Sequence, residues 1–96
     1  MSEIVSCEAA PDGWRCRVTI RDTGSASTHD VTVSAEDATD LAAATDASHV
    51  QRLIEETFDF LLERESKESI LRSFDLSVVS RYFPEFEHEI RSRLAP

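Results

Sequence analysis

Ninety-six residues are enough for one domain and too few for two with separate cores, and a 41% hydrophobic share supports a packed core without metals or disulfides. Nineteen acidic residues against ten basic ones set the net charge at −9, which disfavours DNA, RNA and anionic lipid unless the basic residues gather locally. No run approaches the ~18 apolar residues of a membrane span, and Met1-Ser2-Glu3-Ile4 lacks the basic-then-apolar signature of a secretory leader, so a cytoplasmic location is expected.

The charge is uneven. Residues 1–62 carry four arginines and twelve acids, net −8, whereas residues 63–96 carry six basic and seven acidic residues, net −1. The C-terminal third is therefore the less hostile region for an anionic partner.

The chain opens with strands. Runs at 3–9 and 14–21 flank Ala10-Pro11-Asp12-Gly13, where Pro presets φ, Asp can bond its own backbone and Gly tolerates positive φ. In the second run Trp14, Cys16, Val18 and Ile20 share one face, and Arg15, Arg17, Thr19 and Arg21 share the other. After a polar loop at 22–27, a third strand at about 28–34 places Val31 and Val33 on one face and Asp30, Thr32 and Ser34 on the other. The pattern predicts an antiparallel meander with one apolar and one wet face.

Cys7 and Cys16 match no zinc or redox spacing. If Ala9 lies opposite Trp14, the two cysteines face each other within cross-linking reach. A three-residue Pro11-Asp12-Gly13 loop shifts that register and separates them. In a reducing compartment the expectation is two structural thiols.

After Ser34 the period changes from 2 to 3.6. Ser34 with Asp37 predicts an N-cap, and Ala38, Leu41, Ala42 and Thr45 form a narrow small-residue stripe. Ser48-His49-Val50-Gln51 reads as a capping box opening a central helix at 49–65. Its apolar residues, from Val50 to Leu62, span roughly 200° at about 100° per residue. Ser66 can cap a further helix at 67–74 with Ile70, Leu71 and Phe74 inward; one continuous helix from 49 to 74 is the rival. Asp75 then caps a short helix at 76–83, and Pro84 opens the last one at 84–94, whose early glutamates and late arginines suit its dipole. Glu87–Arg91 and Glu89–Arg93 stand at i,i+4. The predicted fold is α+β: one domain over 1–96, with a three-stranded meander followed by four or five helices packed on one face.

Phe60-Leu61-Leu62-Glu63-Arg64-Glu65, Ile70-Leu71, Phe74-Asp75-Leu76 and Tyr82-Phe83-Pro84-Glu85-Phe86-Glu87 together resemble the C-terminal half of small bacterial proteins of unknown function. The resemblance covers about 35 residues. It implies a bacterial domain and brings no catalytic or binding residues to carry over.

No catalytic, cofactor or metal constellation emerges from the residues themselves. His29, His49 and His88 are scattered, Glu85 and His88 at i,i+3 are a solvated helix face, and no serine sits in a glycine-containing elbow. Two glycines cannot build a phosphate-binding loop. Arg15, Arg17 and Arg21 form a basic stripe for an anion or acidic partner, in competition with cross-strand pairing to Glu8 and Asp30. Residues 67–83 have a helix–turn–helix outline offering Ser77, Ser80 and Arg81, which makes a nucleic-acid-associated regulator the alternative reading. All five Phe and the Tyr fall between 58 and 86, and Val78, Val79, Tyr82, Phe83 and Phe86 are the candidate apolar partner surface. The expectation is a non-enzymatic interaction or regulatory domain that binds a protein partner or itself, with neither membrane nor nucleic acid as its primary target.

Overall fold

Strand formation follows the period-2 pattern closely. The computed structural model, which describes residues 2–42 and 46–95, has β1 at Ser2–Ala10, β2 at Gly13–Asp22 and β3 at Ser25–Ser34. Both hairpins are antiparallel with two-residue turns, because Ala10 pairs with Gly13 and Asp22 with Ser25. Gly24 supplies a φ of 79° at the second turn. Gly13 is required for a different reason: a Cβ there would fall on the Val33 carbonyl oxygen and within 2.9 Å of the Ala35 nitrogen. The third strand therefore lies flush against the first turn, where Ala35 N donates to Asp12 O at 3.1 Å.

Val5, Cys16, Val18, Ile20, Val31 and Val33 are buried on the inner face, and Trp14 and Cys7 pack half-buried beside them. The outer face carries the polar residues of the same strands. The predicted alternation and its parity are both observed.

The helices cover the inner face. In α1, Ala35–Ala42, Ala38 and Leu41 are buried and Ser34 Oγ accepts from Asp37 N at 3.1 Å, as the cap signal predicts. Thr45, predicted on the same stripe, lies outside the described residues. The central helix α2 runs Ala47–Leu62, and its cap is a correction. Asp46, not Ser48, closes the N-terminus: one carboxylate oxygen accepts from the His49 backbone N–H at 3.0 Å, the Ser48 hydroxyl at 2.9 Å and His49 Nδ1 at 2.6 Å. Those donors, the His49 ring first, hold the Asp46 carboxyl down at about 2. A carboxylate can take several donors where a hydroxyl takes few, so Ser48 becomes a donor to the cap.

The segment after α2 departs most from the prediction. Lys67–Ser69 is a single 3₁₀ turn, and Ser73–Asp75 is a short strand, β4, parallel to β3. Asp30 N donates to Arg72 O at 2.7 Å and Leu76 N to Thr32 O at 2.9 Å. The sheet is thus four-stranded and mixed, ordered β1-β2-β3-β4, rather than a three-stranded meander. Neither the 67–74 helix nor a continuous 49–74 helix forms. The helix–turn–helix outline over 67–83 is absent as well, since only α3, Ser77–Tyr82, is α-helical there. Leu76, not Asp75, takes the N-cap position of α3 without a side-chain cap, and Asp75 one residue earlier accepts from Ser77 N at 3.1 Å and Ser77 Oγ at 2.7 Å.

The last helix, α4, spans Phe86–Leu94 and packs on α2. Phe86 and Ile90 are fully buried, and Phe86 meets Phe60 edge-on at 5.2 Å between centroids. Arg93 binds both Glu63 oxygens at 2.7 and 2.8 Å and reaches Glu89 at 3.4 Å. Arg64 lies 3.6 Å from the centre of the Phe60 ring and pairs with Glu63 and Glu85. These contacts tie the end of α2 to α4. Among the described residues the architecture is α+β, with one contiguous core between the sheet and four α-helices.

Candidate functional site

An apolar concave surface lies where the 63–76 segment returns to the sheet. Leu61, in the last turn of α2, and Phe74 of β4 form its floor, both nearly or fully buried. Ile70 and Leu71 form one wall, and Val78, Val79, Tyr82 and Phe83 form the other. The groove encloses about 370 Å³. Leu71 is 52% exposed and Tyr82 71% exposed, and both stand at its mouth. Apolar side chains left this open cost solubility and mark interaction surfaces when they cluster.

The floor is rigid for reasons that begin elsewhere. Phe74 packs against Phe58 at 6.1 Å, and Phe58 against the His29 ring at 5.5 Å. His29, predicted merely at a strand start, is 1% exposed. Its Nδ1 donates to Leu71 O at 2.7 Å, since a carbonyl can only accept, and its Nε2 meets Ser27 Oγ at 2.9 Å. The same residue that is pinned through its carbonyl, Leu71, therefore turns its side chain outward into the groove.

Of the predicted apolar surface, Val78, Val79, Tyr82 and Phe83 line the groove together. Phe86 does not: it is fully buried in the α2–α4 contact and is core. Leu71, predicted inward, is the correction in the other direction. Two polar residues also line the groove, Glu65 and Ser69. Glu65 is half-buried and makes no ion pair among the described residues, whereas Glu63, Glu68, Glu85 and Glu89 around it are all paired. Sequence reading did not single out Glu65, because its significance depends on the walls beside it.

Arg15, Arg17 and Arg21 do share the outer face of β2, and all three are exposed. They do not make a continuous positive stripe. Arg17 Nε donates to Asp30 at 3.1 Å, and Glu8 stands directly across from Arg15. Asp75 of β4 adds a further carboxylate, held by Thr32 Oγ1 at 2.7 Å. The hollow of about 530 Å³ on this face therefore mixes arginines with acids and hydroxyls. Trp14 is on the opposite face, so no aromatic stands between the arginines.

The cysteines also differ from expectation. The two-residue turn sets Ala9 opposite Trp14 and Cys7 opposite Cys16, and the pair forms a disulfide with Cα atoms 4.1 Å apart. They are not free thiols. A second unusual environment lies at the start of β1, where Glu3 faces Asp59, Glu55 and Glu56 of α2. Burial first, then the hydrogen bond to Asp59 and the repulsion of the three acids, pushes the Glu3 carboxyl up to about 8.

Among the described residues, no group of three or more His, Cys, Asp or Glu side chains is placed to hold a metal ion, and no helix is long and apolar enough to cross a membrane. Set against protein-family models, curated proteins and solved structures, the chain matches none of them.

Proposed function

We propose that this chain is a non-enzymatic protein-interaction domain that docks a partner in the groove between residues 69–71 and α3. The observation that carries the reading is the pairing of exposed Leu71 and Tyr82 over an apolar floor of Leu61 and Phe74. Among the described residues three large apolar side chains stand exposed, Ile4 on β1 and the pair Leu71 and Tyr82, and the pair converges on one concavity. The outer sheet face is a weaker candidate, because its arginines already face carboxylates across the strands.

Site-specific photo-crosslinking in bacterial extract tests the reading. A photoreactive phenylalanine analogue at position 82 is expected to give discrete protein adducts that vanish in the Leu71→Asp background. The same analogue at position 21, on the outer sheet face, should give none of them. Identical adduct patterns at the two positions, or no adducts at position 82, would sink the proposal.

A further inference from the structure

The occupant of the groove is legible from its charge and from its backbone. Resting on the docking role proposed above, we infer that the groove takes a basic amphipathic helix of another protein, with apolar side chains on the Leu61–Phe74 floor and a Lys or Arg at Glu65. Three observations converge on this partner.

Glu65 comes first. Beside Ser69 it is the one polar residue among the apolar ones lining the groove and the sole charged one, half-buried and without a cation among the described residues. Arg64 beside it is committed elsewhere, stacked on Phe60 and paired with Glu63 and Glu85. Lys67, two residues on, pairs with Glu68, and neither it nor Arg72 or Arg81 lines the groove. A carboxylate in apolar surroundings gains most from an incoming cation, because the pair forms where water is partly excluded.

The second is the backbone. An extended peptide would need free N–H and C=O groups along the groove wall, in the manner of an added strand. Two of the wall's groups are already used inward: Ile70 N donates to Lys67 O, and Leu71 O accepts from His29. With those two groups taken, the wall offers mainly side chains, which favours a helix laid in the groove with anchors three or four residues apart.

The third is net charge. A second copy of this chain brings another −9, and a two-fold contact through the groove would set Glu65 near its own symmetry mate. A cationic partner is instead steered toward the domain.

Fluorescence anisotropy with a labelled amphipathic helical peptide of leucine and lysine, and with its leucine–glutamate counterpart, tests the inference on the full chain. The lysine peptide is expected to bind, and Leu71→Asp to weaken it by about tenfold or more. Glu65→Gln is expected to weaken it by about three- to tenfold without changing the melting temperature. Tyr82→Ala, at a mostly exposed position, serves as the second groove variant if Leu71→Asp perturbs folding. Equal binding of both peptides, lost together in the groove variants, would overturn the cationic partner while leaving the docking role intact. Lysine-peptide binding that survives both groove variants, and disappears only at about 0.5 M salt, reports diffuse attraction to an acidic surface and removes both. Concentration-dependent dimerisation abolished by Leu71→Asp would make a second copy the occupant and overturn the inference.

Discussion

Glu3 enters the sheet on edge strand β1 with its carboxyl toward Glu55, Glu56 and Asp59 of α2, and it is held up at about 8 by burial and then by those neighbours. Below about pH 4.5 the group is protonated whether the chain is folded or not. Between that point and about pH 8 only the folded chain keeps the proton, so this residue's contribution to stability falls as pH rises and is lost above about 8. Glu3→Gln keeps the hydrogen bond to Asp59 without the titration. It is expected to flatten the stability profile and to stabilise the fold at about pH 8 by roughly 2 kcal/mol, after allowance for solvent screening at a half-buried site. Urea unfolding of both proteins across about pH 5–9 measures this; parallel profiles would refute it. The sequence placed Glu3 on a strand, and nothing local indicated that three acids from residues 55–59 would face it.

At the scale of elements, the decisive feature is how β4 is held. Three residues of strand have little pairing energy of their own, and the backbone bonds flanking them, Asp30 to Arg72 and Leu76 to Thr32, are reinforced by the buried His29 link to Leu71 and by Phe74 packed on Phe58. His29→Leu leaves the Leu71 carbonyl and the Ser27 hydroxyl without their partner while nearly preserving volume. The expected cost is about 2–3 kcal/mol, concentrated at the β3–β4 seam. Hydrogen exchange should show faster exchange at the Asp30 and Leu76 amides than at Val18 in the β2 centre; uniform acceleration would mean that His29 supports the whole sheet instead. The same seam explains why 67–74 is not a helix. Its carbonyls find partners on β3, and burying Phe74 against Phe58 outweighs the weak helical periodicity of the stretch.

For the whole molecule, two features set the balance: a net charge of −9 and one covalent link. Self-repulsion among unevenly placed acids opposes compaction, while the Cys7–Cys16 bond restricts the unfolded chain. Closing a loop of about ten residues is worth roughly 2.5 kcal/mol on loop-entropy grounds. Reduction, or the Cys7→Ser/Cys16→Ser double variant, is expected to lower stability by that amount and the melting temperature by about 10–20 °C. The fold itself should persist, since nine residue pairs join β1 to β2. Calorimetry with and without a thiol reductant measures the difference. No change on reduction would show that the hairpin is already fully constrained by its ladder, and loss of all structure would make the bond a condition of folding.

By itself, the sequence determined the α+β class, the three long strands with their buried faces, the Ser34 cap of α1 and the position of the central helix. Those features rest on period-2 and period-3.6 patterns and on turn or cap chemistry within a few residues, which act before distant parts of the chain meet. Only the tertiary structure decided the rest. It chose the two-residue turn that brings Cys7 onto Cys16 and gave the α2 cap to Asp46. It drew residues 73–75 onto β3, buried Phe86 and left Leu71 outside. Each of those outcomes depends on partners beyond the local window, among them a β-strand some forty residues away, α2 against α4, and a histidine reaching a carbonyl. The groove is a product of that second kind of information: its apolar residues were visible in the sequence, but which of them face water was settled by packing.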